Sequence, residues 1–478
     1  MRTKRMLTAL AALGLAAAIG GGWWWQFAAK TQQLVADSLP VVPDMSATPL
    51  TLREKITAAE AQAHTRLGAR PGLSKLSRLY HANGFLSEAG RCYECLAQLE
   101  PAEPRWLHFQ ASILAGYGEL DRALALWRRV VALAPDYLPA QIRLGDCELK
   151  SNRPADATAT YTKLLQRDPD NSYALLGLAR LDYEAERWAK AQERLETVVT
   201  QTNYTLGYDL IVTLYERNGQ SQRALEIRGA HKASGAYRDP PDPWLDAMMD
   251  VCFDPYRLAL AAGIMARNGA GVQAVHLLER AVELAPDDVA VRFQLGTLSV
   301  VQGNFPAARS QLERCTQLAP DFADGWAQLS ALLAQLGEPT AAAQILATGL
   351  DRCPQSPGLH LMRARALQQA GLSQEAIGAF RESIRLRPNE AEAYIELANY
   401  FINLGQTEEG VPLLRQALEA EPGNPMALGI LTFHAITTGD ESSALRWFSR
   451  VRNQPRVPAE QVEKLRAAFL EQFGHVLR

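Results

Sequence analysis

The sequence predicts an all-α solenoid of stacked helix pairs, and two observations carry that prediction. From Leu258 to Pro422 the chain repeats every 34 residues without a gap, with glycines at Gly269, Gly303, Gly337, Gly371 and Gly405 and prolines at Pro286, Pro320, Pro354, Pro388 and Pro422. Five positions after each glycine a small residue recurs, at Ala274, Ala308, Ala342, Ala376 and Gly410. A pair of short helices cannot bury its apolar face alone, so copies of one unit must stack and share a continuous core.

Each unit reads as two helices. Val291, Leu295, Leu298 and Val301 keep helical spacing, and Gly303 then breaks the pattern as a turn residue. The second helix begins near Pro306 and carries Ala308, Leu312 and Cys315 on one face until Pro320 stops it. The small residue at Ala308 lets the two helices cross closely.

These residues resemble the tetratricopeptide repeat (TPR) family, whose 34-residue unit follows a Trp, Leu, Gly, Tyr, Ala, Phe, Pro pattern. Trp326 and Tyr394 stand at the Trp position, and Leu144-Gly145 and Leu295-Gly296 at the Leu-Gly pair. The Phe position holds Tyr93, Trp127, Tyr161, Leu312, Phe380 and Phe448. Ser330 and Ala398 replace the family's Gly, and Arg363 stands where Leu is expected. The resemblance implies a right-handed superhelical solenoid of about 11 TPR helix pairs, with protein binding as its function.

Ahead of the repeats, Arg2, Lys4 and Arg5 precede an uncharged run over residues 6–29, long enough as a helix to cross ~30 Å of hydrocarbon. Residues 1–29 are therefore read as a signal-anchor or a signal peptide. Ala16-Ala17-Ala18 offers a cleavage site, whereas Trp23-Trp24-Trp25 suits an uncleaved membrane segment. Either outcome places the bulk of the chain in the periplasm or otherwise outside the cytoplasm, because the positive charges lie on the N-terminal side. Residues 30–51, with Pro40, Pro43 and Pro49, read as a linker, and 52–69 as a helix capping the array.

The N-terminal block of about five repeats spans 70–236, with Glu186 replacing the turn glycine of the fourth. A Pro/Asp-rich insert over 237–254 shifts the register, and its proline stretch 237–244 is expected to leave the solenoid as a loop. In it Asp242, Asp246, Asp250 and Asp254 recur every four residues. They read either as a cation site or, at Asp242-Pro243 and Asp254-Pro255, as helix N-caps followed by proline. Six repeats over 255–456 form the C-terminal block, and 457–478 a final capping helix with Val462, Leu465, Phe469 and Phe473 at helical spacing.

Composition narrows the function. The 478 residues carry 49 basic and 52 acidic side chains, with no basic stripe, so nucleic acid is not an expected partner. Cys92 and Cys95 form a lone C-x-x-C without a following His or a second pair, which suits buried thiols rather than haem or zinc. No phosphate-binding loop, G-x-S-x-G or H-E-x-x-H is present, so no enzyme, metal or cofactor is expected.

The family resemblance implies that the first helix of each unit lines an inner, partner-binding surface. In the C-terminal block the corresponding residues are Leu361, Arg365, Gln368 and Gln369, then Ile395, Asn399, Ile402 and Asn403, then Phe433 and Ile436. Amides beside apolar pockets suit an extended peptide, whose N–H and C=O groups they can pair. In the N-terminal block Arg78, His81, Arg105, His108, Arg180 and Tyr183 make a more basic face that suits an acidic segment. The expected function is a non-enzymatic protein–protein interaction scaffold anchored through residues 6–29. The alternative is a binder of a polysaccharide or lipid intermediate in an envelope assembly or export system.

Overall fold

The computed structural model describes residues 24–46, 48–202, 204–230, 240–452, 454, 457 and 459–475. It divides into two compact units, Met1–Asn268 and Gly269–Arg478. Among the described residues every regular element is helical.

The first unit opens with a helix over residues 24–38 and the helix Leu50–Ala63. Five helix pairs follow: Ala69–Ala82 with Leu86–Leu99, Pro104–Gly116 with Leu120–Leu133, Leu138–Lys150 with Pro154–Leu165, Ser172–Glu184 with Trp188–Gln201, and Thr205–Arg217 with Ser221–Ala230. Then come a single α turn at Pro243–Asp246, a 3-10 turn at Ala247–Val251 and the helix Pro255–Arg267. The second unit begins with Gly271–Leu284 and continues through five pairs: Val289–Val301 with Phe305–Leu318, Ala323–Gln335 with Pro339–Arg352, Pro357–Gln369 with Ser373–Leu386, Ala391–Asn403 with Thr407–Ala420, and Pro425–Thr437 with Glu441–Arg452. Ala459–Phe473 closes it.

One turn geometry recurs along the chain. Gly84, Gly118, Gly219, Gly269, Gly303, Gly337, Gly371, Gly405 and Gly439 all adopt positive φ, and so do Asn152 and Glu186 at φ 54° and 57°. A left-handed residue reverses the chain within a few positions, and glycine does this without a Cβ penalty. Glu186 therefore keeps the turn at the cost of strain rather than abandoning it.

Packing explains the small residues. Ala274, Ala308, Ala342 and Ala376 are all fully buried. In the third pair Tyr161 is clamped between two neighbouring first helices. A Cβ added to Gly145 or Gly177 would come within 2.5 Å of its ring, so neither position admits a larger residue without displacing the tyrosine. The Tyr161 hydroxyl escapes the core by donating to Asp146 at 2.6 Å.

Three features differ from expectation. Residues 30–38, expected as linker, continue the helix from residue 24, with Val35 buried and Gln32 Nε2 donating to the His64 carbonyl at 2.6 Å. Pro40, Pro43 and Pro49 hold only the stretch between the two leading helices out of helical conformation. The capping helix ends at Ala63 and buries Leu52, Ile56, Ala59 and Ala63, while Leu67 is exposed. The first compact unit runs past residue 254, where the second block was expected to begin, to Asn268, and within it Arg257 donates to the carbonyls of Ala82 (2.9 Å) and His81 (3.4 Å).

The anchor expected over 6–29 lies outside the described residues up to residue 23, and residues 24–29 begin the first helix. Among the described residues no helix is long and apolar enough to cross a membrane.

Candidate functional site

Asp242 organises the site in the first unit. Its carboxylate is 3% exposed and accepts hydrogen bonds from His108 Nε2 at 2.8 Å, Tyr137 Oη at 2.5 Å and Arg143 Nε at 3.2 Å. It also caps the turn that follows by accepting from the Leu245 N–H at 3.3 Å. Burial alone would raise the carboxyl pKa, but the His108 and Tyr137 hydrogen bonds and the Arg143 charge outweigh it and lower the value to about 2. The tyrosine hydroxyl is pushed up in turn, by burial and by its bond to the carboxylate.

The donors are held in place from behind. Trp127 Nε1 donates to His108 Nδ1 at 3.3 Å, which leaves the ring proton on Nε2, facing Asp242. The Trp244 indole stacks on Tyr137 with centroids 3.6 Å apart and planes 8° from parallel, and meets His108 edge-on at 5.5 Å. Further along, Asn83 donates to the Val251 carbonyl at 2.9 Å and accepts from the Phe253 N–H at 2.6 Å, and Arg78 donates to the Ala247 carbonyl at 3.2 Å. The described part of the insert does not leave the solenoid. Residues 240–254 lie along the first helices of the first three pairs, because its acidic and aromatic side chains find complementary groups there.

This corrects the reading of the N-terminal face. His108 is fully buried beneath the segment, and Arg78 bonds it. His81 Nδ1 lies 3.1 Å from the Tyr93 hydroxyl, and its pKa is pushed down to about 4 by burial, then by Arg257 and His108. Arg105 is exposed but grips Glu103 in two bonds of 2.8 Å each. Among the described residues no hydrogen bond or ring contact joins Arg180 or Tyr183 to the segment, and Tyr183 instead meets Trp188 edge-on at 5.1 Å. Tyr137, Arg143 and Asn83 were not anticipated. The signal for them was the match between a basic face and an acidic insert, each legible separately.

The acidic series itself separates into different roles. Asp242 and Asp254 cap the helices that begin at Pro243 and Pro255, as their Asp-Pro pairs predict. Asp246 has a raised pKa from burial and from Asp242. Among the described residues no three His, Cys, Asp or Glu converge as a metal site. Cys92 and Cys95 are buried thiols, and burial first, then Cys95, pushes the Cys92 pKa up to about 12.

The second unit presents a different face. Leu361, Ile395 and Ile436, expected to face a partner, are core residues at 8%, 4% and 2% exposure, because each lies in a cluster of buried apolar side chains. Arg365 joins two successive first helices, donating to Glu396 at 2.8 Å and to Glu392 at 2.6 Å. Gln368, Asn399 and Ile402 are half-buried, Gln369 and Asn403 are exposed, and Phe433 is 54% exposed. Asn399 and Phe433, like Gln369 and Asn403, occupy equivalent positions 34 residues apart.

Fold and site together define a repeat-built helical solenoid with side-chain-lined faces on its first helices. The tetratricopeptide repeat matches residues 110–172, 149–203, 265–336, 300–366 and 361–425, more than half of the chain. The chain belongs to the tetratricopeptide repeat family, whose members generally mediate protein–protein interaction. It is 26% identical over 363 residues to "Cellulose synthase operon protein C" of Xanthomonas axonopodis pv. citri, a match covering 71% of this chain and 22% of that protein. The chain thus spans about a fifth of that relative's length. Among solved structures, yeast Tom70 aligns with 85% of this chain and 97% of its own at 14% identity and a TM-score of 0.39. YrrB, described as a TPR protein with an unusual peptide-binding site, aligns with 37% of this chain and 91% of its own at 18% identity and a TM-score of 0.31.

Proposed function

We propose that the protein is a non-enzymatic scaffold that captures extended segments of other proteins on the first-helix face of its second unit, and that residues 6–29 anchor it with its bulk outside the cytoplasm. The observation that carries the reading is Phe433, a large apolar side chain 54% exposed and in register with Asn399. An apolar contact one repeat on from Asn399 and Asn403, and two from Gln369, lets an extended peptide bury a side chain while amides along the face pair its backbone groups. The scaffold works without a cofactor, since its chemistry is hydrogen bonding and burial alone.

Changing Asn399, Asn403 and Phe433 together to Ala should leave helicity intact and reduce capture of a partner about tenfold or more, because hot-spot truncations cost upwards of ~1 kcal/mol each. Matched Ala changes at exposed second-helix positions, such as Arg381 and Glu408, should leave capture unchanged. Equal capture by both variants would remove this face from the function. A second reading, binding of a polysaccharide intermediate, draws on the likeness to the Xanthomonas protein whose name refers to cellulose synthase. A glycan array run beside the pull-down separates the two.

A further inference from the structure

We propose that the first-helix face of the first three pairs is a receptor for a short acidic–aromatic turn, Asp-Pro-Trp, which the chain's own residues 240–254 occupy in cis and which a segment of the same chemistry from another protein can replace. The inference rests on the reading of first-helix faces as peptide receptors, but concerns a different face from the one argued above.

Residues 240–254 are held as a recognised peptide is held. They form only a single α turn and a 3-10 turn, and their backbone groups are bonded by side chains of distant helices: Asn83 to Val251 and Phe253, Arg78 to Ala247, and Tyr137 Oη accepting from the Trp244 N–H at 3.1 Å. Two anchors carry the specificity. Asp242 brings a charge into a buried place where three donors await it, and Trp244 supplies a flat ring for the Tyr137 face. A segment serving only to fill space would be apolar there, because a buried carboxylate is tolerated only when fully paired.

The receptor side is preorganised. Trp127, which among the described residues makes no hydrogen bond to the segment, sets the His108 proton on Nε2, so the donor is in place before Asp242 arrives. A cleft of about 710 Å³ runs beside the segment, between Pro243, Trp244 and Ala247 on one wall and Arg78, Arg105 and Trp106 on the other. It offers an incoming segment room to engage before the resident one has left.

The test uses the full chain and a fluorescent synthetic peptide with the sequence of residues 240–254. In the double variant Asp242→Ala, Trp244→Ala the resident segment loses both anchors, and the peptide should bind at least tenfold more tightly than it binds the unaltered chain. A peptide with Ala at both anchor positions should not bind the variant, and adding His108→Ala to the variant should abolish binding of the unaltered peptide. Three results overturn the proposal: a variant of normal helicity that binds no peptide, equal binding by the variant and the unaltered chain, and loss of helical signal in the variant. The last would make the segment part of the core, and Trp244→Ala alone, the milder change, checks it. The triple change at Asn399, Asn403 and Phe433 should leave this exchange untouched, so failure of either reading is seen separately.

Discussion

At the scale of residues, Asp242 and His81 both lose stability as pH falls, but over different intervals. Asp242 has a depressed pKa, so its contribution to stability is complete above the unfolded carboxyl value near ~3.9 and fades only as pH falls toward its folded value of about 2. His81 acts earlier. Its folded pKa of about 4 lies below the unfolded value of ~6.5, so the unfolded chain takes up the proton first and stability declines as pH falls through that interval. Hydrogen exchange in Ala69–Ala82 at pH 7.5 and 4.5 should reveal a loss of roughly 2 kcal/mol in opening free energy, much of it absent in His81→Gln. An equal acid loss in both proteins would clear His81 of the role. The histidine was legible as a member of a basic face. That it is neutral there follows first from burial and then from Arg257, which lies 176 residues away in sequence.

At the scale of elements, stability is close to a sum of neighbouring interfaces. Ala342 is fully buried where Pro339–Arg352 crosses its partner, and Ala342→Leu forces a larger side chain into a filled space at a cost of ~1–3 kcal/mol. Hydrogen exchange should rise in Ala323–Gln335 and Pro357–Gln369 and stay unchanged in Ala69–Ala82. Uniform acceleration throughout the chain would mean one cooperative block instead. The helix pairs were readable because turn, crossing and stop residues recur at one spacing. The helix over residues 24–38 was not, since it has no copy elsewhere and its buried residues, Ala28 and Val35, are too few to set a period.

At the scale of the whole molecule, the first helix begins with Trp24, Trp25 and Phe27, exposed by 56%, 51% and 68%. Aromatic side chains following an uncharged run suit a membrane interface, where a ring can contact both lipid and water. A phosphatase reporter that works only outside the cytoplasm, fused after Ser46, should be active. An inactive reporter there would reverse the proposed orientation.

What the sequence determined by itself is everything that repeats: the all-helical class, the left-handed turn at each unit and the alanines at the crossings. These follow from local geometry copied many times, so the period reports them even where Glu186 replaces glycine. What only the tertiary structure decided is what occurs once. The bonds that seat residues 240–254 join positions separated by 99 to 170 residues, and no periodicity relates Asp242 to His108 or Val251 to Asn83. The insert was legible as acidic and the face as basic. Their meeting depends on how the stacked pairs bring the chain back past its own first helices, which is set by packing over the whole unit rather than by any local stretch.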